Sequence, residues 1–519
     1  MGRFSRTALA IQVFTAGFVI MVLELLGSRI LTPVYGNTIN TWGGIIGVVM
    51  SGLALGYYMG GVISTRTRDF RVLSVLMILS SFYVIIMASV DAFILSLLSP
   101  ENVDDRLGVI SASLFILGPP TVLLGAIPPI SVRLISNEIV KTGRSAGFIY
   151  ALSTLGSIAG TFMTTYLLIP MLDIRTVIYL SSLTLFAVSS MTLRWRYVLI
   201  SGLVMIFLII PINIGLYATC ISSYIGEVVY RDESLYSQIA VVDRGNLRYL
   251  YLNGLLHSVM DVNDPYSLVA QYTKFFILGP LLRPDSESVL FIGGGGFSTP
   301  KHFLKYYDFS VVDVVEIDPE VVEVARRYFN LSEDQRLGVY VLDGRRYLSI
   351  TNRSYDLIII DAYSKNYIPF HMLTLEFVSS VKSRLKDDGV VMLNIISSLS
   401  GPTSDVLWAT YKIYRLNFRY VYVIPVTSSL AFDVQNLILL ASDHQMDVDL
   451  LTSGSSGDGL STDIDINKAM QSLIRTPYRE DVPLLTDEFA PIEFLINPIT
   501  GTRFGREYYL GIIRPSICG

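Results

Sequence analysis

Chemistry is most legible in this chain where short apolar runs stop. The run 289–292 stops at four glycines, Gly293, Gly294, Gly295 and Gly296. The run 311–316 closes on Glu316, Asp343 follows the run 338–342, and 356–361 closes on Asp361. Glycines between a strand and a helix let the backbone approach a ligand closely, and the helix start offers free N–H groups. A carboxylate about twenty residues on, at the tip of the next strand, is where a ribose diol is held. The spacing therefore predicts a nucleoside pocket at the carboxyl edge of a parallel sheet. Glu316 would hold ribose hydroxyls, Asp343 would accept from an exocyclic adenine amine, and Asp361 would lie near the reacting centre. The plainer reading makes each acid a helix cap or turn residue and the glycines a packing turn. Such residues at four successive strand ends favour a site.

These positions need a scaffold of alternating strands and helices. Strands are expected at 289–292, 311–316, 338–342, 356–361 and 389–395, with helices over 299–307, 319–329 and 373–386. That pattern defines an α/β doubly wound, Rossmann-like domain. The runs 419–425 and 436–441 are expected to finish the sheet as antiparallel strands. Ahead of the domain lies a small β-rich lead-in, with strands at 239–243 and 248–253 around the turn Arg244-Gly-Asn246. A helix is expected over 265–278, and residues 451–461, LTSGSSGDGLS, read as a flexible loop.

The first part of the chain is of another kind. With 51% hydrophobic and 16% charged residues overall, the 519-residue chain is too apolar for an ordinary soluble enzyme, and the excess sits in residues 8–219. Apolar segments at 9–31, 43–63, 73–98, 108–132, 146–170, 174–193 and 197–219 each approach the twenty residues a bilayer core requires. The expected organisation is a multi-span α-helical membrane domain of about seven spans over 1–222, the β-rich lead-in over 223–288, and the nucleoside-binding α/β catalytic domain over 289–519. Glycines such as Gly156 and Gly160 suit close helix packing in lipid. Glu24 and Arg29 lie within the first span, where an ionisable group is costly unless it is paired or faces water; Arg133 is a candidate partner. Basic residues fall in alternate loops (Arg3 and Arg6, then Arg66, Arg68 and Arg71, then Lys141 and Arg144, then Arg194 and Arg196), which places the amino terminus in the cytoplasm. Seven crossings from there would put the second half outside. Either that is so, or one segment near Pro119-Pro120 and Pro128-Pro129 does not cross fully.

A net charge of -5 without a dense basic run gives no indication of a nucleic-acid partner. Two cysteines, Cys220 and Cys518, and four scattered histidines, His257, His302, His371 and His444, provide neither metal-ligand spacing nor a disulfide framework, so no metal is expected.

Taken together, these motifs resemble the spermidine synthase (polyamine aminopropyltransferase) family, whose fold is shared with S-adenosylmethionine-dependent methyltransferases. In the second half the likeness is carried by Tyr236-Ser-Gln238, Leu252-Asn-Gly254, the glycine loop, Val315-Glu-Ile-Asp318, Asp343-Gly344 and Asp361. The first half resembles the fused, membrane-bound branch at Glu24-Leu-Leu-Gly-Ser-Arg29, Gly56-Tyr57, Gly60-Gly61, Gly125-Ala-Ile-Pro-Pro129 and Ser153-Thr-Leu-Gly-Ser157. Leu485-Thr-Asp-Glu-Phe-Ala-Pro-Ile-Glu493 is similar to a closing motif of that branch. The resemblance implies that Gln238, Gly293, Gly294, Gly295, Glu316, Asp343 and Gly344 contact the nucleoside, and that Tyr272 and Asp361 are catalytic. It implies decarboxylated S-adenosylmethionine, or S-adenosylmethionine itself, as co-substrate. An amine attacks the carbon beside the sulfonium, and an acid takes its proton so that the lone pair is free.

The departures bear on the acceptor. Ser364 stands where the family's Asp-x-x-Asp loop carries its second acid, Thr273-Lys274 replaces the His-Glu that follows the family's tyrosine, and Gly296 replaces the aspartate of the glycine loop. A diamine pocket that has lost acids should bind putrescine poorly. The expected activity is therefore aminopropyl transfer to a polyamine or another amine acceptor, in a multi-pass membrane protein that works at the lipid bilayer, with a homodimer among the assemblies allowed. Two alternatives are a methyl or alkyl transferase acting on a lipid acceptor, and a nucleoside-binding transporter or sensor without catalysis.

Overall fold

The computed structural model describes residues 3–36, 38–98, 103–136, 142–193, 199, 201–202, 226–362, 368–427, 430–445, 472–477, 479–492 and 494–496. The chain divides into two compact units, one holding Met1–Tyr224 and the other Ile225–Ile512.

In the first unit, α1 (Arg3–Tyr35), α2 (Ile39–Arg66), α3 (Arg71–Leu97), α4 (Asp105–Gly125), α5 (Ile127–Ile135), α6 (Thr142–Met163) and α7 (Ile174–Ser189) form a helical bundle. Among the described residues, six helical segments are long and apolar enough to cross a membrane, with α4 and α5 counted as one. The expected seventh segment, 197–219, lies almost wholly outside the described residues, as do Cys220, Cys518 and the loop 451–461. Pro119 and Pro120 sit inside the continuous helix α4, whereas Pro128 and Pro129 open α5 after a break at Ala126. A proline near a helix start lacks only an N–H that would have been unpaired anyway. Glycines set the closest approaches. A side chain at Gly156 or Gly160 would collide with the backbone of Phe14 or Phe18, and one at Gly52 with Thr121. An Asp91–Arg175 ion pair of 3.3 Å joins α3 to α7. Arg133, the candidate partner of Glu24, is exposed on α5, and among the described residues no ion pair joins the two.

The second unit contains two sheets. The first is an antiparallel meander of β1 (Glu227–Glu233), β2 (Gln238–Arg244), β3 (Leu247–Leu252) and β4 (Leu255–Asp261). The lead-in is thus twice as wide as its two legible strands. The second sheet has seven strands in the order β10-β11-β9-β8-β5-β6-β7, namely β5 (Ser288–Ile292), β6 (Val311–Glu316), β7 (Leu337–Val341), β8 (Tyr355–Ile360), β9 (Leu385–Ser397), β10 (Tyr420–Pro425) and β11 (Gln435–Ser442). Strands β9, β8, β5, β6 and β7 are parallel; β10 and β11 are antiparallel. Every residue of β5 and β8 is buried, as expected of central strands covered on both faces. The covering helices are α8 (Ser298–Tyr306), α9 (Pro319–Tyr328), α10 (Gly344–Ile350), α11 (Leu375–Ser383) and α12 (Asp405–Asn417).

Two helix limits differ from expectation for local reasons. Pro265 lies in a turn in which the Ser267 amide and hydroxyl both donate to the Asp264 carbonyl. Helical structure therefore starts only at Gln271 and continues, partly as 3-10 helix, to Leu282. The Thr374 hydroxyl accepts from the Phe377 amide, so α11 begins at Leu375 and not at residue 373.

Candidate active site at the sheet edge

The chain runs outward from β5 through β6 to β7, then returns to β8 on the other side of β5. That reversal makes a crevice at the carboxyl ends of β5 and β8, the usual place for a ligand in an open α/β sheet. Gly293 ends β5 and Asp361 ends β8. The Asp361 amide donates to the Ile292 carbonyl at 2.9 Å. Gly293 has φ +102°, and a side chain there would strike the Asp361 carbonyl, so both the backbone angle and the close approach call for glycine.

A small, partly open pocket lies at this crevice. Asp361, Tyr272, Gly293 and Gly294 line it together with His257 and Phe276. Asp361 is thus brought to Tyr272, whose hydroxyl hydrogen-bonds its carboxylate. On its other side, Asp361 Oδ1 accepts from Asn394 Nδ2 at 2.9 Å, and Asn394 Oδ1 accepts from Asn436 Nδ2 at 2.9 Å. Both asparagines are buried, on β9 and β11. Burial pushes the Asp361 carboxyl above its ordinary pKa, against the pull of the Asn394 and Tyr272 hydrogen bonds.

The glycine loop faces inward. Glu316 Oε2 accepts from the amides of Gly294 at 2.8 Å and Gly295 at 3.2 Å, and Oε1 accepts from the Asp318 amide at 3.0 Å. Those loop donors are engaged by the chain's own carboxylate, which makes the loop unlike a phosphate cradle. Oε1 keeps acceptor capacity, so a ribose hydroxyl can join it without displacing these bonds. Burial raises the Glu316 pKa and the three amides lower it, with the net shift upward. The Gly296 amide donates to Ser258 Oγ at 2.8 Å, which fastens β4 of the meander to the loop.

The remaining expected positions lie outside the lining of this pocket. Asp343 caps α10 through the Arg346 amide at 2.9 Å, and its Oδ2 lies 3.0 Å from His371 Nε2; the His371 hydrogen bond holds its carboxyl below the usual range. The plainer cap reading is therefore real for Asp343, whatever it does besides. Gly344 opens α10 and packs so tightly on β5 that a side chain would run into Ile292. Gln238 starts β2; its amide donates to Asn253 Oδ1 at 3.0 Å and its side chain reaches Glu233. The neighbouring Ser237 donates to Asp318 Oδ2 at 3.2 Å, which places this end of the meander beside the Glu316 turn. Thr273 lines the pocket, and Ser364 lies outside the described residues.

Sequence reasoning missed His257, Asn394 and Asn436. His257 Nδ1 is 3.0 Å from the Leu255 carbonyl, which can only accept; a neutral ring therefore leaves Nε2 as an acceptor. Burial lowers its pKa, which favours that neutral form. His257 is three residues past Asn253-Gly254 and could have been found from that motif. Asn394 interrupts the apolar run of β9, and Asn436 follows Gln435 at the polar start of β11; spacing along the chain does not join them to Asp361.

The fold is an open, doubly wound α/β sheet with a pocket at its topological switch point. Residues 276–400 match the Spermine/spermidine synthase domain. A polyamine aminopropyltransferase of Vibrio vulnificus is 29% identical over 276 residues, covering 52% of this chain and 91% of that protein. Polyamine aminopropyltransferase 1 of Aquifex aeolicus is 30% identical over 212 residues, 39% of this chain and 73% of the relative. Among solved structures, a probable spermidine synthase from Corynebacterium glutamicum aligns over 44% of this chain and 88% of its own, at 21% identity and a TM-score of 0.39. The chain belongs to the spermidine synthase (polyamine aminopropyltransferase) family of transferases.

Proposed function

We propose that the chain is a membrane-bound aminopropyltransferase that moves an aminopropyl group from decarboxylated S-adenosylmethionine to an amine. The observation that carries this reading is the meeting of Asp361, Tyr272 and the first two glycines in one pocket, with Glu316 fixed immediately behind the loop. In the proposed site Glu316 holds the ribose, Asp343 and Gln238 border the nucleoside, and Gly293 to Gly295 let it approach the backbone. The amine nitrogen, relieved of a proton by Asp361, forms the new C–N bond as the C–S bond breaks and neutral methylthioadenosine leaves. Tyr272 and Asn394 hold the carboxylate in place. His257 Nε2 offers a second acceptor to the incoming ammonium.

Six long apolar helices support a multi-pass membrane location for the first unit. The pocket's one carboxylate among the described residues favours an acceptor other than a short diamine, which would present two cations. The test is product analysis. Purified protein is incubated with labelled donor, decarboxylated or not, and with polyamines, monoamines and lipid extract. Methylthioadenosine release with an amine-dependent product is expected. S-adenosylhomocysteine release would instead assign methyl transfer, and nucleoside binding without product would assign a sensor or transporter.

A further inference from the structure

We propose that the helical unit carries a second amine site, separate from the pocket described above, in which Glu24 on α1 receives a primary ammonium group beside α6. The inference rests on the reading of this unit as membrane-spanning. Glu24 lies inside the segment Arg6–Tyr35, eleven residues from its end, or about 16 Å at the helical rise. It is half-buried, and among the described residues neither a hydrogen bond nor an ion pair reaches it. Arg29, five residues on, points about 140° away around the helix.

The packing of α1 on α6 fixes what lies opposite. Gly156 abuts Phe14 and Gly160 abuts Phe18, while Gly17 abuts Ser153, so the two helices advance together turn by turn. Glu24 is two turns beyond Gly17 on the same face of α1; counted on from the Gly17–Ser153 and Phe18–Gly160 contacts, its level falls between Gly160 and Tyr166, a span that holds Thr164. At that level the close glycine packing ends. Thr164 takes the next position in the series, and the helix passes into a π-helical turn, Thr164–Leu168, that still touches α1. π-Helical turns are concentrated at functional sites. The Thr164 hydroxyl is fully buried and has no hydrogen-bond partner among the described residues.

An unpaired carboxylate and an unsatisfied hydroxyl at one depth of an apolar bundle are each costly. One ligand relieves both. An ammonium group neutralises Glu24 and still has N–H donors for the Thr164 oxygen. Half-burial of Glu24 leaves it a way in. The same chemistry is presented by a free polyamine and by an aminophospholipid headgroup, and the experiment separates them.

The full chain carrying Asp361→Asn, which removes the pocket acid of the second unit, is placed in phosphatidylcholine nanodiscs and titrated with radiolabelled spermidine. A parallel set in phosphatidylethanolamine discs is assayed for lipid retained on the protein by native mass spectrometry. Glu24→Gln is expected to weaken spermidine binding, or deplete retained phosphatidylethanolamine, at least tenfold, and Glu24→Asp to restore part of it. Monodisperse elution and an unchanged helical melting temperature in every variant serve as the folding control for the helical unit. Equal spermidine affinity and equal lipid retention with and without Glu24 would overturn the proposal. Methylthioadenosine release by the unaltered chain tests the transferase reading independently, so the two failures are distinguishable.

Discussion

Replacing Asp361 by asparagine separates its chemistry from its place in the fold. The amide has the same shape, keeps an oxygen for the Asn394 donor at 2.9 Å, and can donate to the Tyr272 hydroxyl in place of accepting from it. Packing is conserved, so the fold should survive. Proton acceptance is lost. An alkylammonium with a pKa near that of lysine, about 10.4, is neutral in roughly one molecule in a thousand at pH 7.4. Without a base, the reaction must draw on that minor fraction. General-base removal costs about 10²- to 10⁴-fold in rate, or roughly 2.7–5.5 kcal/mol of barrier. Methylthioadenosine release at saturating donor would be measured across amine concentrations, with donor affinity measured separately by calorimetry. We expect kcat to fall at least a hundredfold while donor Kd stays within threefold. A kcat within tenfold of the unaltered chain would refute the assignment of Asp361 as base.

Three further outcomes follow from the same geometry. Because burial raises the Asp361 pKa, the active carboxylate is lost as pH falls through a value above the ordinary carboxyl range. Asn394→Leu removes a bond to the charged form and should move that acid limb of the kcat/KM profile to still higher pH; an unmoved limb would reduce Asn394 to packing. Glu316→Ala strands three backbone amides at about 1–3 kcal/mol apiece where buried, so a lower melting temperature should accompany weakened nucleoside binding; unchanged affinity would remove Glu316 from the ribose. His257→Leu should raise the amine KM several-fold with donor Kd unchanged, and an altered donor Kd alone would place His257 on the nucleoside.

The sheet was legible because buried strands are short, apolar and β-branched, as in Ser288–Ile292 and Tyr355–Ile360, and because glycines or acids punctuate their ends. Elements without that contrast were not. Gly344–Ile350 is a basic seven-residue helix too short to show a period, though its cap, Asp343, was singled out for other reasons. Asp405–Asn417 does carry helical spacing in Val406, Ala409, Thr410 and Ile413, and could have been read. Strand β4 alternates poorly because its early residues are half-buried against the glycine loop and the pocket. At the site, strand-end position marked Glu316 and Asp361, whereas their partners are set by tertiary packing. Neither the Asn436–Asn394–Asp361 chain nor the capture of the loop amides by Glu316 follows from spacing along the chain.

Where the donor lies decides the mechanism. The most direct test is a structure of the chain with methylthioadenosine bound. A ribose hydroxyl within hydrogen-bond reach of Glu316 Oε1, and the sulfur turned toward the Asp361–Tyr272 pocket, is the predicted result. A nucleoside bound elsewhere, with the crevice between β5 and β8 filled by the chain's own side chains, would contradict it.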